Sequence, residues 1–223
     1  MTGIGLSTGQ VVVVCGVWLL YGALHSLTAS LWLKRLVVGR WPACMPIYRL
    51  AFNLLSVVTL IPPLLLIYFW HGDYLWQWTG AGWWIANTLA LLAVAGFVLS
   101  LRYYDGSEFA GLRQWRERAV RVEDQEHFHI SPLHRFVRHP WYTLGLVILW
   151  TRDMDGVMLL SSLMMTGYLI LGLRLEERKL LAYHGELYRR YRQRVPALIP
   201  LPWRYLSVAQ ARQLMGLTVD KRC

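Results

Sequence analysis

Long apolar runs alternate along the chain with short polar segments that carry most of the charged side chains. Four runs are long enough to cross about 30 Å of hydrocarbon as α-helices, and they lie at about residues 11–33, 50–70, 83–101 and 157–173. A fifth run, Pro140–Trp150, is too short to cross alone, so we expect its helix to begin upstream, near Ser131. The pattern predicts an all-α polytopic membrane protein with about five transmembrane helices.

Composition supports this interpretation. Hydrophobic residues make up 56% of the 223 residues and charged residues only 16%, a balance typical of membrane proteins. Trp and Tyr, with twelve residues each, are the side chains that favour the membrane–water interface. No low-complexity linker divides the chain, so we expect a single membrane domain over residues 1–223.

The net charge of +10 could suggest a nucleic-acid partner, but the basic residues are grouped between apolar runs. Lys and Arg are frequent in residues 34–49, 104–137 and 174–194, and absent from residues 1–10 and 71–82. Positive loops stay in the cytoplasm, so we expect the N-terminus outside and the C-terminus inside. Membrane lipids, through anionic head groups, are the expected counter-charge, and no nucleic-acid partner is expected.

Candidate chemistry lies in the second half, because Asp73 is the first acidic residue of the chain. The first cluster is Arg138–Tyr142, with the sequence RHPWY. A proline fits the first turn of a helix, whose exposed N–H groups can hold an anion or a carbonyl. The alternative is an interfacial anchor of Arg, Trp and Tyr.

The second cluster ends the last apolar run and contains Arg174, Glu176, Glu177 and Arg178. Ionisable groups at such a depth are candidates for function. Arg174 and Glu177 are three residues apart and share a helix face, whereas Glu176 points about a quarter-turn away. The alternative is a salt-bridged helix end at the interface.

Histidines form two further candidates. His127, His129 and His134 lie close in sequence, but no Cys or carboxylate spacing accompanies them, so we expect ligand or surface contacts and no metal. His25 stands alone in the first apolar run, where it could be hydrogen-bonded packing or could face an internal chamber. The segment Asp105–Trp115 could be a linker, or it could be a lid or pocket wall.

Several of these stretches together resemble a known family. The sequences RHPWYTLG, EERKLL and GELYRRYRQRVPALIP are similar to integral-membrane methyltransferases related to isoprenylcysteine carboxyl methyltransferase. The likeness is closest to the bacterial methanethiol S-methyltransferase branch, which LHSLTAS, FAGLRQW and MTGYLILGLRLEER also match. It covers about Leu24 to Pro200 and favours a bacterial inner membrane.

The resemblance implies S-adenosylmethionine as methyl donor. It places the cofactor-binding and catalytic half in residues 105–200. The apolar runs place three spans in residues 1–104, and the distribution of Lys and Arg makes residues 201–223 a cytoplasmic tail. Glu176 aligns with the acidic residue of the family's pocket. The implied cofactor-binding residues are His127, Phe128, His129, Ile130, His134, Arg138, His139, Pro140, Tyr142, Glu176, Tyr188 and Tyr191.

Two departures from the prenylcysteine enzymes concern the acceptor. His134 stands where those enzymes usually have Tyr, and Gly172 stands where their substrate-contacting Arg falls, with Arg174 nearby. We therefore expect a small thiol such as methanethiol, with a methyl thioether such as dimethyl sulfide as product. A lipid-like acceptor (a prenylcysteine carboxylate or a phospholipid amine) and a non-catalytic protein that keeps the fold remain alternatives.

Roles follow for the charged residues. The cofactor's carboxylate suits Arg138 or a helix N-terminus, and its ammonium suits Glu176. Arg174 is predicted to be catalytic, with Glu177 orienting it, because a nearby cation lowers the pKa of a thiol. Arg174 and His25 are the predicted substrate contacts. The oligomeric state stays open.

Overall fold

The computed structural model describes residues 4–120 and 128–216, and the chain is mainly helical within them. His127 lies outside the described residues. Two short strands, β1 (Tyr74–Trp76) and β2 (Met154–Asp155), accompany the helices. The helices are α1 (Thr8–Ala29), α2 (Leu31–Arg40), α3 (Met45–Phe69), α4 (Gly80–Ser100), α5 (Gly106–Ala110), α6 (Leu112–Arg116), α7 (Pro140–Trp150), α8 (Gly156–Arg194) and α9 (Val208–Leu214).

Among the described residues, four helical stretches are long and apolar enough to cross a membrane: α1, α8, Pro42–Phe69 with α3, and Gly80–Tyr103 with α4. α7 is a shorter apolar helix of 11 residues. Many apolar side chains lie on the outside, as lipid contact requires; Leu54 is 66% exposed and Leu91 is 68% exposed. The protein is thus an all-α polytopic membrane protein, as the hydrophobic pattern predicts.

The start of α7 differs from expectation. The prediction that this helix begins near Ser131 is wrong, because it begins at Pro140. Between residues 128 and 139, the structure has a single helical element, the 3₁₀ turn Leu133–Arg135. A proline disfavours helical conformation in the residue before it, and His139 accordingly has φ −122° and ψ 71°.

The described residues group into two compact units. The first unit comprises those of residues 1–86, 104–125 and 152–168, and the second comprises those of 87–103, 126–151 and 169–223. In the first unit, α1 begins with a capping box in which Ser7 and Gln10 exchange side-chain and backbone hydrogen bonds. Its apolar core contains Leu6, Val14, Trp18 and Val157.

Ser30 divides the first predicted span. Its hydroxyl donates to the carbonyl of Leu27 (2.6 Å) and accepts from the amide of Leu33 (3.2 Å). The same residue therefore ends α1 and caps α2, as serine commonly does at a helix N-terminus. The apolar run that predicts one helix thus contains two.

Two loops of the first unit are tied together by β1 and β2, which pair antiparallel. The carboxylate of Asp155 accepts from the amides of Gly72 (3.2 Å) and Met158 (2.8 Å). That of Asp153 accepts from the amide of Trp78 (2.9 Å). The strands are too short to give a periodic sequence signal.

The segment α5–α6 is fastened to α3. The side-chain amide of Asn53 donates to the carbonyls of Phe109 (3.0 Å) and Ala110 (3.1 Å). Between the two short helices, Gly111 has φ +91°. A Cβ at Gly111 would lie 2.8 Å from the backbone nitrogen of Leu50, so only glycine allows this close approach.

In the second unit, α7 packs on the C-terminal part of α4. The indole of Trp141 donates to the hydroxyl of Ser100 (2.7 Å), and its ring lies 4.9 Å from that of Phe97. Leu144 packs over Gly96, where a Cβ would be 3.4 Å from Leu144 Cδ2. These contacts fix α7 by its first two turns.

The end of α8 forms the other core of the second unit. The chain leaves helical geometry once within α8, at Gly185, which has φ 50°. Leu206 exchanges two hydrogen bonds with Arg135, of 2.9 and 2.8 Å, which holds the following residues against α8. The buried members of this core are Tyr188, Tyr191, Val195, Leu206 and Ala211.

Candidate active site

The start of α7 is held by the chain that follows α8. The amides of Arg138 and His139 donate to carbonyls of residues 196 and 197 (2.9 and 3.1 Å). The hydroxyl of Thr143 donates to the carbonyl of Leu198 (2.7 Å). Main-chain pairing therefore places the Arg-His-Pro motif beside α8 before any side-chain contact is considered.

Arg138 and Glu177 form a buried ion pair. The side chains are 9% and 11% exposed, and Arg138 Nε donates to Glu177 Oε1 at 2.6 Å while Nη2 contacts the same oxygen. Tyr188 Oη lies 3.5 Å from this oxygen, at the limit of a hydrogen bond. Removal of one partner from such a pair leaves an uncompensated buried charge.

Arg138 has further partners in the backbone. Its Nη1 donates to the carbonyls of Arg192 (3.1 Å) and Val195 (2.5 Å). All three guanidinium nitrogens are thus engaged inside the protein. The expectation that Arg138 receives the carboxylate of a cofactor does not match this geometry, because these donors already join α7 to α8.

Glu176 is the exposed neighbour of the buried Glu177. Its side chain is 44% exposed, because adjacent helix positions point about 100° apart. Tyr142 Oη donates to Glu176 Oε2 at 3.0 Å, and His139 Nδ1 lies 3.5 Å from the same oxygen. Glu176 is therefore a carboxylate that is oriented by two neighbours and still open to a cation.

His139 lies between the two carboxylates. The side chain is 4% exposed, with Nδ1 beside Glu176 and Nε2 3.4 Å from Glu177 Oε1. Its ring stacks on that of Tyr142 at 5.4 Å between centroids. Three other residues predicted from sequence, Tyr142, Glu176 and Glu177, thus surround the imidazole of His139.

His134 lies in the turn that precedes this motif. Its Nδ1 is 2.7 Å from the hydroxyl of Ser131. Burial, followed by the nearby His129 and His139, lowers the pKa of His134 to about 4, against an opposing effect of Glu176. His134 is therefore neutral near pH 7, when it can donate or accept hydrogen bonds without adding positive charge to the site.

The remaining predicted cofactor residues differ in their surroundings. Phe128 packs edge-on against Tyr188 and Tyr191, with ring centroids 5.9 and 5.4 Å away. Ile130 packs on the same core, and Tyr191 Oη donates to the carbonyl of His134 at 2.6 Å. These apolar and tyrosine side chains support the turn at residues 128–135.

Arg174 does not contact Glu177, so the expectation that Glu177 orients it does not match the geometry. Within the described residues, Arg174 is exposed and its guanidinium makes no ion pair or hydrogen bond. Although the two residues are three apart on α8, the carboxylate of Glu177 faces the buried Arg138 instead. An exposed guanidinium at this position is available to a ligand.

His25 belongs to the first unit, on α1. Its Nδ1 lies 3.1 Å from the hydroxyl of Ser56 on α3. The hydroxyls of Ser26 and Tyr168 are 3.3 Å apart in the same region. Of the two alternatives for His25, hydrogen-bonded packing is present; a contact with substrate stays a prediction.

Sequence reasoning missed several partners in these clusters. Ser56 and Thr143 are single hydroxyls in apolar helices and carry no sequence signal. Arg192 and Val195 contribute backbone carbonyls, which any residue could supply. Tyr168 lies within MTGYLILGLRLEER, a stretch that matches the resembled branch, so it could have been singled out.

Together, these features define a polytopic integral-membrane protein with a polar site at the start of α7, built around one open and one buried carboxylate. Two proteins named methanethiol S-methyltransferase match the chain over most of their length. One, from Bradyrhizobium diazoefficiens, is 32% identical over 212 residues, which is 91% of this chain and 71% of that protein. The other, from Mycobacterium tuberculosis, is 34% identical over 217 residues, or 88% and 81%.

A second protein from Bradyrhizobium diazoefficiens, also named methanethiol S-methyltransferase, is 31% identical over 188 residues, with 81% of this chain and 70% of that protein covered. The chain therefore belongs to the methanethiol S-methyltransferase family and is a membrane methyltransferase. This confirms the resemblance to that bacterial branch. No family model matches the chain, and no solved structure matches it either.

Proposed function

We propose that the protein transfers a methyl group from S-adenosylmethionine to a small thiol such as methanethiol, giving dimethyl sulfide. The observation that carries this proposal is the shared name of the relatives matched over most of their length. When bound, the cofactor would supply a sulfonium-bound methyl group. The thiol would first release its proton to solvent, and the thiolate sulfur would then bond to the methyl carbon as the sulfonium–methyl bond breaks, which leaves S-adenosylhomocysteine.

The open carboxylate of Glu176 fits the ammonium group of this cofactor. Tyr142 and His139 hold one of its oxygens, which orients the carboxylate in advance of binding. The carboxylate of the cofactor is assigned to the N-terminus of α7, which carries partial positive charge, rather than to Arg138. Arg138 and Glu177 keep that N-terminus in place.

Arg174 is proposed to act on the acceptor side. An exposed guanidinium with no internal partner among the described residues can favour the thiolate form of a bound thiol. The cation acts before the methyl transfer, by raising the fraction of the acceptor that is present as thiolate. This role for Arg174 requires no contact with Glu177.

An acceptor screen tests the proposal. Purified protein receives methyl-labelled cofactor together with methanethiol, a prenylcysteine or phosphatidylethanolamine in parallel, and the labelled product of each acceptor is measured. We expect label in dimethyl sulfide. Label only in a lipid-like product would favour the alternative acceptors. A protein that forms no S-adenosylhomocysteine and does not bind it would be a non-catalytic member of the fold.

Two variants separate the proposed roles. Glu176→Gln removes a charge-assisted contact and is expected to weaken cofactor binding by about ten-fold or more. Arg174→Ala is expected to lower the rate by about 10²-fold and to leave cofactor affinity within a few-fold. The matched controls are Glu186→Gln and Arg178→Ala, at exposed positions of α8. If a control showed the same loss of affinity or rate as the variant it is paired with, the role assigned to Glu176 or Arg174 would be contradicted.

A further inference from the structure

The segment that follows α8 in the second unit, residues 198–206, exposes large apolar side chains outside any membrane-spanning helix. Trp203 is 75% exposed and Ile199 is 72% exposed, the highest values for large hydrophobic side chains among the described residues. Tyr205, in the same segment, is also exposed. Single apolar residues on a surface are ordinary, but a group of them marks a place of contact.

Hydrogen bonds fix the level of this segment relative to the apolar helix α7. The hydroxyl of Thr143, in the first turn of α7, donates to the carbonyl of Leu198 (2.7 Å). The amides of Arg138 and His139 donate to the two carbonyls that precede the segment. From Pro140 onwards α7 has no charged residue. The segment therefore begins where a charged motif gives way to an apolar helix, which is the boundary between head groups and hydrocarbon.

The backbone of the segment suits the head-group region and not the hydrocarbon. Residues 195–207 form no helix, and irregular backbone exposed to hydrocarbon would leave its polar groups unsatisfied. Pro200 and Pro202 have no amide hydrogen, which removes two donors. The amide of Arg204 closes a turn on the carbonyl of Leu201 (3.0 Å). Water and lipid head groups can satisfy the groups that remain.

Aromatic side chains join the segment to the turn before α7. The ring of Phe136 stacks on that of Tyr205, with centroids 5.8 Å apart and an angle of 18° between the planes. The guanidinium of Arg135 lies 5.5 Å from the centroid of the Phe136 ring, and its Nε donates to the carbonyl of Leu206 (2.8 Å). Trp and Tyr concentrate at membrane–water interfaces because each combines an apolar ring with a polar group.

The charge around the segment is entirely positive in sequence. Arg204 gives one donor to the carbonyl of Gln193 (2.9 Å), and a guanidinium has five N–H donors, so further ones can reach a phosphate. From Leu187 to Gly216 the chain has six arginines and no Asp or Glu, namely Arg189, Arg190, Arg192, Arg194, Arg204 and Arg212. A surface of this kind complements anionic lipid.

We propose that residues 198–206 and Phe136 bind the head-group region of a membrane that contains anionic phospholipid. Arg204 contacts a lipid phosphate, and Trp203 lies between the head groups and the acyl chains. The bound membrane thereby steadies the backbone carbonyls that hold the start of α7. A second copy of the chain is a poorer occupant, because it would bring the same cations to the contact. The inference holds whatever acceptor the protein methylates.

A fluorescent probe at position 203 tests the contact with lipid. The full chain, with serine at Cys15, Cys44 and Cys223, carries an environment-sensitive fluorophore on Trp203→Cys in nanodiscs of phosphatidylcholine and phosphatidylglycerol. We expect blue-shifted emission. A lipid spin label near the head group should quench the probe more strongly than a spin label near the end of the acyl chain.

Two labelled positions of the second unit serve as controls. Leu91→Cys lies in the middle of α4 and is 68% exposed, so the deeper spin label should quench it more strongly. Glu186→Cys lies on the charged part of α8, where the side chain is 58% exposed, and neither spin label should quench it appreciably.

Arg204→Gln tests the preference for anionic lipid. In the parent chain, head-group-labelled phosphatidylglycerol should be preferred over phosphatidylcholine about five-fold for one arginine contact. The preference should disappear in Arg204→Gln and weaken as salt is added. Arg189→Gln is the matched control, because the guanidinium of Arg189 is paired with Glu186 (3.4 Å), and it should keep the preference.

Hydrogen exchange tests the link to α7. The amides of Arg138 and His139 should exchange several-fold more slowly in anionic nanodiscs than in phosphatidylcholine alone, since their acceptors lie next to the bound segment. Trp203→Ser should abolish the difference. Trp84→Ser, which removes another exposed tryptophan from α4, should leave it in place.

Each result has an opposite that contradicts the inference. Emission typical of water at position 203 would overturn it. Blue-shifted emission without quenching by either spin label would show that a protein surface covers the segment, which overturns the assignment to lipid. Equal quenching by the two lipids in the parent chain would overturn the preference for anionic lipid. Equal exchange of the two amides in both kinds of nanodisc would overturn the link to α7.

Discussion

Glu176 and Glu177 show how one residue step on a helix separates two roles. The helix turns about 100° per residue, so the first carboxylate is 44% exposed and the second is 11% exposed. Arg138 neutralises Glu177, and removal of Glu177 would leave the buried guanidinium of Arg138 without its carboxylate. Glu176 has the neutral hydroxyl of Tyr142 and the ring of His139 against its carboxylate. The first is suited to binding and the second to holding the site together.

The buried pair gives a prediction about stability. Arg138→Ala should lower the free energy of unfolding by about 3–5 kcal/mol, because the buried Glu177 would lose its closest cation and keep the half-exposed guanidinium of Arg192, 3.9 Å away. The double variant Arg138→Met/Glu177→Leu should lose less than Arg138→Ala, since no charge is left unpaired. Thermal unfolding in detergent, followed by tryptophan fluorescence, measures both.

The control for this pair is Glu186→Gln, which breaks only exposed ion pairs with Arg189 and Arg190 on the same helix. It should change stability by no more than about 1 kcal/mol. A double variant less stable than Arg138→Ala would contradict the buried-charge explanation and indicate that Arg138 acts mainly through its backbone partners.

Among the residues, sequence could predict the participants of the site but not their pairing. The motif at Arg138–Tyr142 and the acidic pair after the last apolar run were both recognisable by their charge in a membrane context. Helix spacing alone suggested that Glu177 meets Arg174. The actual partner, Arg138, comes from a segment 39 residues earlier, and only the tertiary pairing of residues 138–143 with 196–198 brings it there.

At the scale of elements, the apolar runs predicted the helices and missed their ends. The apolar run of the 11-residue α7 predicts a helix, and the helix begins at Pro140. The length needed to cross a membrane instead favours a start further upstream, and that expectation is wrong. Ser30 divides an apolar run through two hydrogen bonds that hydropathy does not register. The β1–β2 pairing depends on Asp153 and Asp155, whose contacts lie 75 and 83 residues away in sequence.

The attachment of α5–α6 to α3 gives the second stability prediction. Gly111→Ala should destabilise the protein by about 2 kcal/mol or more, because the left-handed conformation itself costs an alanine roughly 1–2 kcal/mol. The new Cβ would also lie 2.8 Å from the backbone nitrogen of Leu50, so the segment must shift. The loss should appear as a lower Tm in the same unfolding assay.

Gly39→Ala is the matched control for this substitution. Gly39 lies within α2, and a Cβ there would meet nothing within 4 Å. Alanine is favoured over glycine in a helix by about 1 kcal/mol, so this variant should be neutral or slightly stabilised. Equal losses in the two variants would show that the conformation of Gly111 is not what fastens α5–α6.

For the whole molecule, the sequence predicts the orientation of the chain in the membrane. Helix lengths establish which segments can cross a membrane, but they are symmetrical with respect to its two sides. The distribution of Lys and Arg supplies the asymmetry, since residues 71–82 contain none and residues 104–120 contain several. We propose that the first of these loops lies outside and the second in the cytoplasm, on the side from which a cofactor made in the cell must arrive.

Cysteine labelling tests this orientation. In a background with serine at Cys15, Cys44 and Cys223, Trp76→Cys and Arg118→Cys place single thiols in the two loops. Trp76 is 38% exposed and Arg118 is also exposed, so either thiol can be reached by a membrane-impermeant maleimide. In intact cells we expect labelling at position 76 and none at position 118, where labelling should require permeabilisation. The reverse pattern would invert the topology, and labelling of both positions in intact cells would show that the positive-charge asymmetry does not set the orientation of this chain.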